Sequence, residues 1–375
     1  MPGKLLLAAA ALGIAAGAHA ATATRTPFGR ADGQPVEAIT LSNGHMRATI
    51  VSLGAAVQSV FVPDRDGRMA DIALGYPSID GYLAKSEYFG ATVGRVANRI
   101  ARGRFVLDGR SYQTPVNNGA NALHGGTKGF DKRVWTVREV ASGPVARVTL
   151  ALVSADGDQG YPGTLTATAT YTLNDANELG VEYRATTDKA TIVNLSNHAY
   201  WNLGGEGSAA GVMGHRLTIS AETFLPTDAG AIPTGEFRRV AGTVFDFRQP
   251  TPIGTRVRDA ADQQIKLGKG YDHNWVIARE VAAAPHLMAR VEDPASGRVL
   301  ELLSDQPGLQ FYSGNFLDAT VVGKSGHLYR QGDAFVLEPQ KFPDTPNQPA
   351  FGSVRLGPGQ TYRNRIVFRF KTEPR

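Results

Sequence analysis

A run of strict alternation limits what this chain can fold into more than any other feature. In "TLTATATYTL", residues 164–173, Leu165, Ala167, Ala169, Tyr171 and Leu173 alternate with threonines. A period of two puts the apolar set on one face and the hydroxyls on the other, the pattern of a half-buried antiparallel strand. "NDAN" then supplies a turn, and "ELGVEYRATT" returns with Leu179, Val181, Tyr183 and Ala185 on one face. The pair reads as a hairpin. Short strands of the same kind are expected at "ARVTLALVSA", "HRLTISA", "RVLELLSD", "LQFYSGNF", "AFVLEP" and "RNRIVFRFK". The 43 glycines and 21 prolines among 375 residues punctuate them as turn formers. Only "SIDGYLAKS" suggests a helix, and a short one. With no strand–helix alternation and no fixed-period repeat, the expectation is an all-β chain. Residues 31–375 are expected to form a single domain, one large antiparallel β-sandwich, because no linker composition divides them.

Residues 1–20 read as an export signal. Lys4 gives a positive start, "LLLAAAALGIAAGA" an apolar core, and Ala18-His19-Ala20 a small-x-small cleavage site. The apolar run is short for a membrane span and no basic stop follows it. The mature protein is therefore expected to be exported, periplasmic or secreted, and free of the membrane after cleavage near Ala20. Residues 21–30 are expected to be a loose tail. The chain has no cysteine, which excludes disulfides, thiolate metal sites and a cysteine nucleophile. Its stability must come from its core, and a chain of this length can build one. The net charge of +5 is spread along the sequence, and "RVANRIARGR" is its densest basic run. No nucleic-acid partner is expected from so diffuse an excess.

Signatures of several chemistries are missing. "GGTKG" lacks the spacing of a phosphate loop, and there is no G-x-S-x-G elbow and no His-Glu-x-x-His pair. With eight scattered histidines, no metal site is expected. Asn194-Leu195-Ser196 matches a glycosylation sequon, a pattern that is common by chance. Polar residues set among aromatics and glycines remain: Asn98 and Arg99, His124, His198 with Tyr200 and Trp201, Asp272 and His273, Gln310, and Glu338. Singly, each has an ordinary explanation. A histidine near glycine commonly belongs to a turn, and Asp272 could bond local backbone. Glu338 is the least ordinary. It ends the buried-looking strand "AFVLEP", where Pro339 is expected to stop the pairing, and a carboxylate there is costly unless paired or used. "SNHAYWN" combines donors, a titratable ring and aromatic faces, a mixture that suits polyhydroxylated ligands.

These stretches together resemble the galactose mutarotase, or aldose 1-epimerase, family. "GRVANRI", "NALHGGTKGFDKRVW", "DGDQGYPGTL", "SNHAYWNL", "YDHNW", "LQFYSGNFLD" and "VLEPQKFPDTPN" are similar to family motifs and occur in the family's order. They span roughly residues 90 to 350, and "LSNG…VSLGAAVQSVFVPDRDG" near the N-terminus is also family-like. The resemblance implies a galactose mutarotase-like supersandwich that interconverts the α and β anomers of free aldohexoses such as galactose and glucose. It implies that Glu338 is the base that takes the C1 hydroxyl proton and His198 the acid that protonates the ring oxygen. It implies that His124 binds near the ring oxygen, that Asn98, Arg99, Asp272 and Gln310 grip hydroxyls, and that Ala199 and Tyr200 lie in the binding stretch. Trp201 either lines the pocket or supports it, and His273 keeps a structural reading. No cofactor or metal is implied. The partner is a free monosaccharide, and the protein is expected to be a monomer or weak homodimer.

The residue types suit that work. A carboxylate with an ordinary pKa of about 4.3 accepts a proton at neutral pH, and an imidazole near 6.5 can carry one, so His198 is expected to be protonated. Two alternatives have their own marks. A non-catalytic sugar-binding module of the same fold would lack the acid or the base. A hexose-6-phosphate 1-epimerase would surround the phosphate with arginines, and Arg95, Arg99 and Arg102 are the candidates.

Overall fold

A computed structural model describes residues 20–374; the expected signal, apart from Ala20, lies outside them. Three antiparallel sheets carry the fold. Thr22–Ala31, Gln34–Ser42, Arg47–Val51, Ala56–Pro63 and Met69–Asp71 form an N-terminal meander of five strands. A nine-stranded sheet runs Thr136–Ala141, Ala146–Ser154, Leu165–Leu173, Glu178–Thr187, Tyr362–Thr372, Arg298–Ser304, His286–Glu292, Arg216–Ile219 and Thr251–Pro252. A six-stranded sheet runs Tyr200–Trp201, Phe335–Gln340, Gly308–Tyr312, Asp272–Val276, Thr223–Leu225 and Arg238–Arg239. One continuous core lies among the three, with Ile39 and Val57 from the first sheet, Tyr171 and Phe368 from the second, and Trp275 and Leu337 from the third.

The alternating run behaves as its chemistry dictates. Leu165–Leu173 pairs with Glu178–Thr187 in unbroken register, from Leu165 opposite Thr187 to Leu173 opposite Leu179. All five apolar residues of the first strand are fully buried, and a buried leucine contributes about 1.5–3 kcal/mol. The Asn174 side chain closes the turn by accepting from the backbone N–H groups of Ala176 and Glu178. The expected short helix is Ile79–Ala84. A second, Gln263–Gly268, has no apolar periodicity to announce it and is capped by Asp262, which accepts from Gln264 and Ile265.

Two expectations are corrected. Residues 22–31 are a strand and not a loose tail: they pair with Gln34–Ser42 from Thr22 opposite Ser42 to Ala31 opposite Gln34. The segment lacks an apolar face because it is an exposed edge strand. Asp32 and Gly33 close this hairpin, both at positive φ (48° and 73°), which Asp-Gly hairpin loops favour. Pro339 does not stop the pairing; it lies opposite Leu309 inside the strand Phe335–Gln340, and its carbonyl accepts from Ser196 and Asn364.

Candidate active site

The site lies on one face of the six-stranded sheet. Strand parity decides which residues reach it, because successive side chains point to opposite faces. Trp201, Phe335, Leu337, Leu309, Phe311 and Trp275 face the core. Residues of the opposite parity on the same strands, Tyr200, Val336, Glu338, Gln310, Tyr312 and Asp272, face the other way. Registration aligns these into rows: Tyr200 is opposite Val336, Val336 opposite Tyr312, and Tyr312 opposite Asp272. Gln310 is opposite Glu338 in the next row.

Above this face is a cavity of about 570 Å³, within the usual range of about 300–1,000 Å³ for small-molecule sites. Asn98, Arg99, His124, His198, Tyr200, Asp272 and Glu338 all line it. Gln310 stands just behind the surface and donates from Nε2 to Asp272 Oδ1 at 2.8 Å. Ala199 shares the parity of Trp201, and its side chain packs into the core away from the cavity. Trp201 is fully buried against Phe368 and Phe370, so it supports the site from behind. His273 is also structural: its Nδ1 accepts from the Asp272 backbone N–H at 3.1 Å and its Nε2 faces Gln264 Oε1 at 3.1 Å. Asn194 of the sequon is buried and donates to the Lys341 carbonyl, so it is no glycan acceptor in this fold.

Much of the remaining lining comes from loops that carry no local signal of function. Glu87 and Tyr88 precede the buried Phe89, Asn118 to Asn121 form one rim, Thr227 to Ala231 another, and Phe316 stacks on Tyr312. Asn118 Oδ1 accepts from Arg99 Nε at 3.0 Å, and Arg99 reaches Asp272 at 3.8 Å. Asn118, Arg99, Asp272 and Gln310 thus form one polar chain along the wall. Tyr88, Asn98 and His124 have φ of 61°, 61° and 50°. Three non-glycine residues in the left-handed region around one cavity mark a backbone held in strain by its surroundings.

Hydrogen bonding sets the His124 tautomer. Its Nδ1 accepts from the Asn98 backbone N–H at 3.2 Å, so the ring proton of the neutral imidazole is on Nε2. His124, His198 and Glu338 offer atoms within 4.8 Å of one another, close to metal-ligand spacing. The tautomer argues against that use, because a protonated Nε2 has no lone pair for a cation. His124 is instead a fixed donor.

His198 and Glu338 are both buried, with Nε2 and Oε1 3.7 Å apart. Burial pushes His198 down to about 4 and lifts Glu338 well above the carboxylate range, with Asp272 adding to the rise and Arg99 opposing it. Burial and then the neighbouring His198 and Arg99 hold His124 well below its ordinary value. The mutual attraction of an imidazolium and a carboxylate at 3.7 Å works against the first two shifts. Burial favours a neutral imidazole beside a carboxylic acid, opposite to the expected His198 cation. That state and the ion pair hold the same number of protons; they differ in which group has the proton.

A β-sandwich with a buried histidine–carboxylate pair facing a cavity of small-molecule size has the parts of an enzyme that acts on a small polar molecule. The chain belongs to the aldose 1-epimerase family, whose model matches residues 37–369. It is 45% identical to galactose mutarotase from Homo sapiens over 352 residues, covering 93% of this chain and 99% of that protein. It is 39% identical to aldose 1-epimerase from Escherichia coli K12, again over 93% of this chain and 99% of that protein. Among solved structures, galactose 1-epimerase from Lactobacillus acidophilus NCFM matches with a TM-score of 0.82 at 30% identity, over 94% of this chain and 99% of the other.

Proposed function

We propose that this protein interconverts the anomers of free aldoses such as galactose and glucose, with Glu338 and His198 as the proton-transferring pair. The observation that carries the assignment is their 3.7 Å approach at the floor of a cavity lined by fixed donors. In ring opening, Glu338 as carboxylate takes the proton of the C1 hydroxyl while the C1–O5 bond breaks, and His198 as imidazolium gives its proton to O5. The products are an open-chain aldehyde, a carboxylic acid and a neutral imidazole. Rotation about C1–C2 turns the aldehyde face, and closure runs the same transfers backwards. The protonation favoured by burial alone is thus the one that follows ring opening, and sugar hydroxyls bonded to Glu338 favour the other. Positioned acid–base groups contribute roughly 10²–10⁴-fold each.

His124 Nε2–H and the Arg99–Asp272–Gln310 chain supply directional bonds to hydroxyls, and Tyr200 and Tyr312 supply apolar faces for C–H groups. The phosphate alternative finds little support. Arg95 is buried and spends its guanidinium on the carbonyls of Pro162, Gly163 and Ser154, and Arg102 is not among the lining residues. Arg99 is the one arginine that lines the cavity among the described residues. Polarimetry of freshly dissolved α-D-glucose and α-D-galactose tests the function: faster equilibration with enzyme supports it, and no acceleration with any aldose overturns it.

We further propose export, with cleavage after Ala20. The signal-like composition of residues 1–20 supports it, and Ala21, the residue after the cut, is already paired into the fold through both backbone groups with Gly143. Intact-mass measurement of the protein from the cell envelope or medium reads the N-terminus directly. A monomer or weak homodimer is proposed as well. Its exposed apolar residues, such as Val106, Val153 and Leu328, are spread over separate strands. Light scattering across a dilution series decides it.

A further inference from the structure

Three rings surround the His198 imidazole: Tyr200 and His124, each at 5.1 Å between centroids, and Tyr88 at 5.6 Å. Tyr88 also tilts over His124, 4.7 Å away. The ring therefore packs against both histidines of the proton-transfer floor.

The backbone ties the same turn to His198. Gly90 N donates to the His198 carbonyl at 3.0 Å, and His198 N donates to the Ala91 carbonyl at 2.9 Å. Asn197 Nδ2 donates to the Gly90 carbonyl at 2.9 Å, and Ala91 N closes the turn onto the Tyr88 carbonyl at 3.0 Å. A bulky side chain at φ 61° is disfavoured by its own backbone, so these bonds hold Tyr88 where it would not otherwise go.

Behind Tyr88 is a second cavity of about 510 Å³, lined also by Tyr82, Ser86, Lys128, Asp131 and Lys132. Tyr88 lines both cavities. One side chain is thus shared by the wall of the sugar site and the wall of a second space large enough to hold many waters, with Lys128, Asp131 and Lys132 among its lining.

We propose that Tyr88 is a positioning residue whose ring partitions the two cavities, keeping water of the second away from His198 and fixing both imidazoles for proton transfer. The proposal rests on the acid–base reading above. Glu338, His124, Tyr88 and Tyr200 face His198 directly, and Glu87, Arg99 and Asp272 line the same cavity. Beyond the partition are Asp131, Lys128 and Lys132. Removing the ring admits water, which stabilises the imidazolium and raises the affinity of His198 for its proton. It also loosens the two imidazoles.

The test uses Tyr88→Ala, Tyr88→Leu and Tyr88→Phe in the whole protein, with folding checked by circular dichroism. His198 titration is read by NMR of histidine-labelled protein and assigned with His198→Asn. Tyr88→Ala is expected to raise the His198 midpoint by about one unit, a tenfold change in proton affinity. It is also expected to lower kcat by about tenfold or more with a smaller change in KM. Tyr88→Leu, which is smaller than the ring and opens only part of the partition, serves if the alanine variant does not fold and should show the same direction with a smaller shift. Tyr88→Phe, which retains the ring, keeps the wild-type titration. An unchanged midpoint in Tyr88→Ala, or in Tyr88→Leu where only that folds, overturns the proposal. An equal shift in Tyr88→Phe overturns it too, by placing the effect in the hydroxyl. The titration is independent of turnover, so an inactive wild type would sink the acid–base reading while leaving the partition to be decided by NMR.

Discussion

His198 Nε2 and Glu338 Oε1 approach to 3.7 Å from separate segments of chain, Glu338 inside Phe335–Gln340 and His198 just before Tyr200–Trp201. Tyr200–Trp201 pairs with Phe335–Val336, so the sheet itself sets the spacing of the acid and the base.

Because each group handles one of the two protons, Glu338→Gln and His198→Asn should each lower polarimetric acceleration by roughly 10²–10⁴-fold. Circular dichroism should remain that of the wild type, since Glu338→Gln keeps the shape of the side chain and His198→Asn leaves a smaller polar one at the cavity wall. A variant that retains the full rate removes its residue from the proposed pair.

The pair works with one proton between its two members, so kcat/KM should fall on both sides of a pH optimum. On the acid side a second proton occupies the base, and on the alkaline side the shared proton is lost. This holds whichever group keeps the proton before the sugar binds. A flat profile with chemistry rate-limiting would count against the assignment.

Stability should depend on pH in two opposite ways. Burial lowers His198 and His215 to about 4 and His273 to about 3, so below their ordinary value near 6.5 the unfolded chain binds more protons than the folded one. The melting temperature should therefore fall as pH drops from about 6.5 toward 4. Glu338 is raised, so above the ordinary carboxylate value near 4.5 the unfolded chain ionises first and stability declines with rising pH. Glu338→Gln removes that loss and should melt higher than wild type, by a margin that is wider at pH 8 than at pH 5. An equal margin at both would show that Glu338 is not held neutral.

Asn118 bonds Arg99 Nε and is expected to act on binding. Asn118→Ala loses one charge-assisted bond, worth about 1.5–3 kcal/mol, and should raise KM by roughly tenfold or more with a smaller effect on kcat. A kcat loss without a KM change would place Asn118 in the chemistry instead.

Ala199 and Trp201 face the core, so changes there should cost stability and spare sugar affinity. Ala199→Val overfills a close-packed position at about 1–3 kcal/mol. Trp201→Ala opens a cavity at about 3–5 kcal/mol. Denaturant titration measures both, and KM measured below the transition should stay near wild type. A strong rise in KM for Ala199→Val would return that residue to the binding surface.

Much of the fold was legible locally. The hairpin Leu165–Leu173 with Glu178–Thr187 followed from alternation, because a half-buried strand writes its two faces into every second residue. The edge strand Thr22–Ala31 was not legible in the same way, since it has no buried face to produce a pattern. Asn98, Arg99, His124, His198, Tyr200, Asp272 and Glu338 were found through motifs and do meet in one cavity. Tyr88, Asn118 and Asp228 were not, because their place there depends on loops meeting across long stretches of chain and leaves no local trace.

The all-β architecture, the family and the residue types able to exchange protons with a sugar can be read from the chain alone, since periodicity and motif order are properties of the chain. Tertiary structure alone decided which parity of each strand faces the cavity, turning Ala199 and Trp201 to the core and Tyr200 and Glu338 to the site. It also decided where the proton of the pair rests. Burial is a property of the surroundings, and an imidazole or carboxylate has no surroundings until the sheets have packed.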